Sequence, residues 1–291
     1  MKIGKVMKII SNQYEVLCDQ KRYPCVAMGK LRKGASPLVG DKVQIELFQD
    51  RYGIQKIFPR INELKRPSVA NVDQAVIVMS CKDPNFSTTL IDRLIFQITY
   101  ANIEPIIMVT KMDLLDDNSD VHQAIAEYKH SGYRIFTSDV KTVSPDFLQV
   151  LGNKITVLTG QSGAGKSSLL NRLDPSFHLQ TQEISKALGR GKHTTRHCEL
   201  HCIANGYVAD TPGFSSMDFS HMHILELADR ILDFQPFIGK CQFRDCKHIN
   251  EPNCAIRQAV NEGKVCAYRY HHYEEVVRMI EQVKPRYERG S

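Results

Sequence analysis

The sequence predicts a multi-domain α/β protein, and three observations support this. The first 66 residues hold short runs of alternating hydrophobicity separated by turn residues. From Asp73 onward, apolar runs of strand length alternate with segments of helical periodicity. Near the end, four potential metal ligands lie within 14 residues. We therefore expect an N-terminal β-barrel, a central α/β domain with a mainly parallel sheet, and a C-terminal helical module that binds a metal.

The first segment, residues 1–66, is expected to form a five-stranded barrel of the OB type, because its short strands recur at even spacing. The strand-like runs are Ile3–Val6, Tyr14–Leu17, Tyr23–Ala27, Lys42–Phe48 and Ile54–Phe58. Barrels of this type commonly bind oligonucleotides on a strand face, and the net charge of +8 in this segment suits a polyanion. A barrel that simply docks on its neighbour is the alternative.

The central domain is placed at residues 67–216, and the C-terminal module at 217–291. Predicted strands and helices alternate through the centre, as βαβ units require. The strands are Ala75–Met79, Pro105–Val109, Tyr133–Phe136, Lys154–Leu158, Glu199–Ile203 and Gly206–Ala209, and the helices are those of Leu90 to Ile98, Val121–His130 and Lys166–Leu173. The C-terminal module begins with an amphipathic helix that presents Ile224, Leu227, Ala228, Ile231 and Phe234, and it ends in a helix through Tyr273 and Val277.

Composition excludes several classes of protein. Of 291 residues, 42% are hydrophobic and 24% are charged, which is typical of folded domains rather than disordered chains. No apolar run approaches the ~20 residues of a membrane span, and the N-terminus lacks the apolar core of a signal peptide. We expect a cytoplasmic protein without a membrane partner. In a reducing compartment, nine cysteines indicate metal or thiol chemistry before disulfides.

A glycine-rich motif lies between a predicted strand and a predicted helix and matches G-x-x-x-x-G-K-[ST]. Its residues are Gly160, Gln161, Ser162, Gly163, Ala164, Gly165, Lys166 and Ser167, and Ser168 follows. Backbone N–H groups of such a loop surround phosphates, the lysine reaches the β- and γ-phosphates, and the Ser167 hydroxyl is expected to bind Mg²⁺. This context leaves little room for a glycine loop without function, and it predicts a nucleoside triphosphate site.

Base specificity must come from other loops. The residues Thr110, Lys111, Met112 and Asp113 directly follow an apolar strand. A carboxylate there accepts hydrogen bonds from guanine N1–H and the exocyclic amine, whereas adenine lacks this pair of donors. Alone, the motif is weak, and Asp113 could simply cap a helix. Ser138, at the end of the next strand, is expected to belong to a second base-contacting loop, so guanine is favoured.

Two further segments complete the predicted nucleotide site. Asp210 and Gly213 belong to a D-T-P-G run at the end of a strand, where the acid suits the Mg²⁺ shell and the glycine N–H can contact the γ-phosphate. The polar loop before that strand contains His193, Thr194 and Thr195. Either threonine can close over the metal, and analogy with other T-T-R loops favours Thr195.

These motifs resemble the five nucleotide-binding motifs of Ras-like GTPases in a permuted order, with the base-contacting loops before the phosphate loop. Moving the chain ends of such a domain preserves its sheet. Together with the N-terminal barrel, the R-P-S-V-A-N-V-D-Q entry and the later cysteines, the order resembles the RsgA family of circularly permuted GTPases, known as YjeQ or YloQ, over nearly the whole chain. The resemblance implies GTP hydrolysis in late maturation of the small (30S) ribosomal subunit, binding to 16S rRNA, stimulation by the subunit and release after hydrolysis.

The cysteine-rich segment predicts one structural zinc ion. Cys241, Cys246, His248 and Cys254 supply three thiolates and one imidazole, which suits a closed tetrahedral site. Unrelated thiols are the alternative. The RsgA resemblance agrees, since the corresponding residues of that family bind zinc.

Two departures from the usual GTPase pattern affect the predicted mechanism. Phe214 follows D-T-P-G, where many GTPases have a glutamine that orients the attacking water, so slow intrinsic turnover is expected. His193 is then the nearest candidate for that task, as the family resemblance also suggests, with a solvated loop histidine as the alternative. Thr110 stands in place of the usual Asn, which predicts a looser base-contacting loop.

The sequence therefore leads to a monomeric GTP-hydrolysing assembly factor that uses Mg²⁺ with GTP. Two other hypotheses stay open. The chain could be an RNA-binding module with a merely structural nucleotide, which Lys166→Ala would reveal by leaving RNA association unchanged. It could also be an ATP-dependent enzyme, which competition of ATP against labelled GTP would reveal.

Overall fold

Five strands close the N-terminal barrel in the order β1-β2-β3-β5-β4 in this computed structural model. The structure describes residues 1–28, 36–65, 68–116, 119–139, 142–174, 199–212, 214 and 217–282. The barrel strands are β1 Lys2–Ile10, β2 Gln13–Cys18, β3 Lys21–Ala27, β4 Lys42–Phe48 and β5 Arg51–Ile57. Alternate residues such as Tyr14, Val16 and Cys18 fill the interior. This arrangement confirms the OB-type barrel: the first three strands are longer than predicted, the fourth has the predicted bounds, and the fifth begins three residues earlier and ends one residue earlier.

The central domain holds a six-stranded sheet in the order β10-β9-β8-β11-β13-β12. Five strands are parallel, and β12 pairs antiparallel with β13 at one edge. The strands are β8 Gln74–Ser80, β9 Glu104–Thr110, β10 Arg134–Thr137, β11 Ile155–Gly160, β12 Leu200–Ile203 and β13 Gly206–Pro212. The helices are α1 Thr88–Tyr100, α2 Asp120–His130, α3 Pro145–Leu151 and α4 Lys166–Leu173. All residues of β8 are buried, because helices cover both faces of the sheet.

A short hairpin between the barrel and the sheet is absent from the sequence-based prediction. It consists of β6 Glu63–Lys65 and β7 Ser68–Ala70. Its flanks hold the barrel: Asn71 donates to the Gly40 carbonyl at 3.1 Å, and Arg60 donates to both oxygens of the fully buried Asp41 at 2.8 and 2.7 Å. The Asn71 hydrogen bond thus joins the barrel to the segment after the hairpin, and the charge-assisted Arg60–Asp41 pair holds the segment before the hairpin on the barrel.

The C-terminal module contains α5 Ile224–Arg230, α6 Ala255–Asn261 and α7 Ala267–Gln282. The first helix is shorter than predicted, because the backbone becomes extended at Ile231. Ile231 and Phe234 are nevertheless fully buried, in a turn rather than on a helix face. In the same turn, Asp233 reaches the Arg269 guanidinium, which explains why the helix ends early. Among the described helices, none has the length and apolar character needed to cross a bilayer.

A buried polar network docks α7 on the central domain. Arg269 of α7 is fully buried, and its guanidinium donates to Asp92 at 3.1 Å and to Asp233 at 2.7 Å. Asp92 of α1 also accepts hydrogen bonds from Tyr128 at 2.9 Å and interacts with His272 at 2.7 Å. Apolar residues of the module and of one face of the sheet belong to a single core. The module therefore packs as a continuation of the central domain.

Candidate functional site

The predicted nucleotide-binding loops meet at one edge of the sheet. Strands β8, β9, β10 and β11 run parallel, and the register pairs Ser80 with Thr110, Thr137 with Val109 and Gly160 with Val78. Their carboxyl ends therefore coincide, which is where open α/β sheets bind ligands. The phosphate loop and both base-contacting loops leave the sheet at this edge.

The phosphate loop has the backbone that its glycines allow. Gly160, Gly163 and Gly165 all have positive φ, at 121°, 81° and 87°. A Cβ on Gly160 would lie 2.0 Å from the Val78 carbonyl oxygen, so no other residue fits there. The loop then enters α4 at Lys166, with Gly165 in the left-handed N-cap position. This geometry directs loop N–H groups and the helix N-terminus toward one point, as phosphate binding requires.

Lys166 lies across its own loop. Its ammonium donates to the carbonyls of Gly160 at 2.9 Å and Gln161 at 2.5 Å, and burial lowers the pKa of this amine. These loop carbonyls are weaker partners than a phosphate, because they carry no full charge. The lysine is thus positioned for the terminal phosphates of a nucleotide.

The first base-contacting loop is held by the phosphate loop itself. Thr110 is almost fully buried, and its hydroxyl donates to the Ala164 carbonyl at 2.7 Å. The short threonine side chain thus reaches the phosphate loop, and a looser loop than one with the usual Asn stays a prediction. Lys111 follows in a left-handed conformation with φ 61° and leads into a 3-10 turn that exposes Asp113. The Asp113 carboxylate is accessible to a base.

The second base-contacting loop is joined to the first by backbone hydrogen bonds. Ser138 donates its N–H to Val109 at 2.8 Å, and its carbonyl accepts from Met112 at 3.2 Å. The side-chain oxygen of Ser138 is buried and has no hydrogen-bond partner among the described residues. An unpartnered buried hydroxyl is a group that a polar ligand would satisfy.

Two residues outside the predicted motifs, Cys81 and Asp83, support the base-contacting loop. The Cys81 thiol donates to the Lys111 carbonyl at 2.9 Å, and the Cys81 N–H donates to Thr110 at 3.1 Å. The Lys111 ammonium in turn contacts the Asp83 carbonyl. Their place in the sequence could have indicated this role. Cys81 directly follows β8 and Asp83 comes two residues later, so both lie at the carboxyl edge of the sheet.

Part of the predicted catalytic machinery lies outside the described residues. This applies to His193, Thr194, Thr195 and Gly213. Asp210 belongs to β13, and only its backbone is described. Phe214 has a left-handed φ of 52° and packs against the main core. The roles of Ser167 and Ser168 stay predictions, although α4 places both in its first turn.

The four predicted zinc ligands form one cluster. The ligand atoms of Cys241, Cys246, His248 and Cys254 lie within 4.8 Å of one another. His248 Nδ1 is 3.5 Å from Cys241 Sγ and 3.4 Å from Cys254 Sγ, and the last two sulfurs are 3.9 Å apart. Tetrahedral zinc with bonds of about 2.3 Å to sulfur requires ligand separations of this size. The donor set therefore fits zinc.

Burial of the cluster makes a cation favourable. It lowers the pKa of His248, which keeps the imidazole neutral and able to bind metal. Burial also raises the pKa of the Cys246 thiol to about 12 and raises that of Cys254. A divalent cation offsets this cost, because it stabilises the thiolates that bind it.

The cluster is attached to α7 through its backbone. Tyr270 donates its hydroxyl to the His248 carbonyl at 2.7 Å, and Tyr273 donates to the Lys247 carbonyl at 2.8 Å. Cys246 and Cys254 also belong to the core shared with the sheet. The Cys3His cluster therefore forms part of the surface that packs on the central domain.

A parallel sheet with a phosphate loop and two base-contacting loops at its carboxyl edge, in this chain order, defines a circularly permuted P-loop GTPase. The RsgA GTPase family matches residues 57–220, and the RsgA N-terminal domain matches residues 3–54. The chain therefore belongs to the RsgA family of GTP-hydrolysing enzymes, as the motif order suggested.

Similar proteins cover the full length of the chain. Proteins from Bacillus subtilis and Oceanobacillus iheyensis, named small ribosomal subunit biogenesis GTPase RsgA and RsgA 2, are 45% and 44% identical. In each case the alignment covers 98% of this chain and 99% of the relative. The crystal structure of YloQ, a circularly permuted GTPase, is 39% identical with a TM-score of 0.84 and covers 99% of this chain and 97% of its own. YjeQ from Thermotoga maritima is 30% identical with a TM-score of 0.83, at 97% and 99% coverage.

Proposed function

We propose that this GTPase acts in late maturation of the small ribosomal subunit. It binds the subunit and 16S rRNA in its GTP form, and the subunit stimulates hydrolysis, which leads to release. The relatives' names support the subunit as the partner. The observation that carries the nucleotide part is the hydrogen bond of Thr110 to Ala164, which unites the base-contacting and phosphate loops in one site.

The described residues suggest how GTP is held. The phosphate loop surrounds the phosphates. Lys166 leaves the Gly160 and Gln161 carbonyls and binds the β- and γ-phosphates. Asp113 and the Ser138 loop contact guanine. Ser167 would bind Mg²⁺, with Thr195 and Asp210 in its shell. When bound there, Mg²⁺ would supply positive charge beside the β- and γ-phosphates, where negative charge increases during hydrolysis.

The residue after the D-T-P-G run supports stimulation by the subunit. Phe214 packs against the core and cannot hydrogen-bond to a water molecule. His193 is the candidate to orient the attacking water, and binding to the subunit would position the loop that contains His193. The zinc in the Cys3His cluster has a structural role, and the protein acts as a cytoplasmic monomer.

The deciding experiment measures GTP turnover with small subunits, large subunits and naked polyanion. We expect strong stimulation by small subunits alone. Lys166→Ala should abolish nucleotide-dependent association, and His193→Ala should reduce stimulated turnover while GTP affinity stays unchanged. Equal turnover with every addition would contradict the proposal. An RNA-binding module with structural nucleotide would instead keep its association after Lys166→Ala.

A further inference from the structure

One wall of the barrel carries unpaired positive charge. The outward face of β4 and β5, here called the β4–β5 wall, consists of Lys42, Gln44, Glu46, Arg51, Lys56 and the adjoining Phe58. The strand register pairs Gln44 with Lys56, and the backbone N–H of Phe58 donates to Lys42, so these residues share one face. Lys42, Arg51 and Lys56 are exposed and form no ion pair with another described residue.

Two of these charges are held in place by an aromatic ring. The ammonium groups of Lys42 and Lys56 lie 5.4 and 5.1 Å from the centre of the half-buried Phe58 ring. Both distances are within cation–π range. Because the ring favours these positions, less side-chain entropy is lost when the lysines bind an anion. The β4–β5 wall thus presents two partly ordered cations side by side.

The opposite wall of the barrel differs in charge. Proteins with OB barrels usually bind oligonucleotides on the β2–β3 face. Here Arg22 of β3 pairs with Glu15 of β2 and lies 3.9 Å from Glu199 beside β12. Lys8 of β1 also pairs with Glu199, and the two residues form a backbone bridge. Two cations on or beside the usual ligand face are therefore paired with carboxylates, whereas Lys21 is exposed, and the face lies next to the edge of the central sheet.

We propose that the β4–β5 wall, and not the usual β2–β3 face, is the surface with which the barrel contacts the RNA backbone. Lys42 and Lys56 each neutralise one phosphate, and Arg51 extends the contact at the hairpin end. The inference rests on the proposed function, because it assigns the rRNA contact to one face of the barrel. The partner is RNA, since three exposed cations without a carboxylate partner among the described residues complement a polyanionic strand.

Two charge-matched variants of the full-length protein test this assignment. K42Q/K56Q removes two charges from the β4–β5 wall, and K21Q/R22Q removes two from the β2–β3 face. Each is loaded with a non-hydrolysable GTP analogue and titrated with small ribosomal subunits at several KCl concentrations. We expect K42Q/K56Q to bind roughly ten-fold more weakly and to lower the slope of log affinity against log salt by about 2, since each phosphate contact contributes about one unit. The control should change both values much less.

Folding and function are checked separately. Thermal unfolding and subunit-independent GTP turnover should match wild type for both variants, because neither pair lies near the nucleotide site. If wild type fails to bind subunits, the proposed function is wrong. If wild type binds but K42Q/K56Q does too, or if the two variants lose affinity and slope equally, the function stands and the face assignment is wrong. A larger loss of affinity and salt slope in K21Q/R22Q would show that the β2–β3 face contacts the RNA.

Discussion

At the scale of single residues, Thr110 has the most direct connection to nucleotide binding. Its hydroxyl donates to the carbonyl of Ala164, a fully buried residue, so Thr110→Val removes the donor without changing side-chain shape. Leaving a buried carbonyl unpaired costs about 1–3 kcal/mol, and we expect GTP and GDP affinity both to fall roughly ten-fold. Titration with a fluorescent GDP analogue measures this. Thr110→Ser keeps the hydroxyl and should bind like wild type; equal losses for Val and Ser would refute the role of the hydrogen bond.

We expect Asp113 to determine the choice of base. An exposed carboxylate at this position can accept two hydrogen bonds from guanine, whereas the amide of Asp113→Asn offers one acceptor and one donor. We expect GTP affinity to fall by roughly two orders of magnitude and xanthosine triphosphate, which has a carbonyl in place of the amine, to bind better than GTP. Competition binding with GTP and xanthosine triphosphate measures this change in base preference. Unchanged GTP preference would mean that Asp113 only caps the 3-10 turn.

At the scale of elements, the contact between α1 and α7 depends on Arg269. Arg269→Met leaves Asp92 and Asp233 buried without their cation, and we expect a loss of roughly 3–5 kcal/mol in unfolding free energy. Arg93→Met is the matched control between the same helices, because Arg93 pairs with the half-buried Glu275 near the surface and should contribute under about 1 kcal/mol. Urea unfolding of both variants compares them. Similar losses of unfolding free energy in the two variants would show that the buried Arg269 ion pairs stabilise the protein no more than the Arg93 pair does.

The same elements show what sequence patterns can predict. Strand alternation and the position of each loop after a strand sufficed for the barrel, for most of the central sheet and for the residues at its carboxyl edge. The early end of α5 was not predictable, because Ile231 and Phe234 continue the helical period while the ion pair of Asp233 with Arg269 draws the chain into a turn. The hydrogen bond from Thr110 to Ala164 was equally invisible, since it joins residues 54 positions apart.

At the scale of the whole molecule, the metal cluster should affect the stability of the entire chain. Cys246 and Cys254 share one core with Met7 of the barrel and Ile77 of the sheet. Removing zinc with a chelator should therefore lower a single unfolding transition by roughly 10 °C, rather than release the C-terminal module in a separate step. Circular dichroism melting with zinc analysis measures this.

A matched pair of variants separates the metal from thiol loss in general. Cys246→Ser should reproduce the effect of the chelator. Cys266 lies outside the cluster, so the Cys266→Ser variant should melt at the same temperature as wild type. Two resolved transitions after zinc removal would show that the module unfolds independently.

The junction of the barrel with the central domain has a geometric consequence. Arg60, Asp41 and Asn71 fix the barrel on one side, and Arg269 fixes the C-terminal module on another. In this structure the surfaces of the two modules therefore have one defined separation. A partner that touches both surfaces gains the effective concentration of two-point attachment only if its own contact points have that spacing. The affinity for such a partner then depends on whether the partner's two contact points have reached their final spacing.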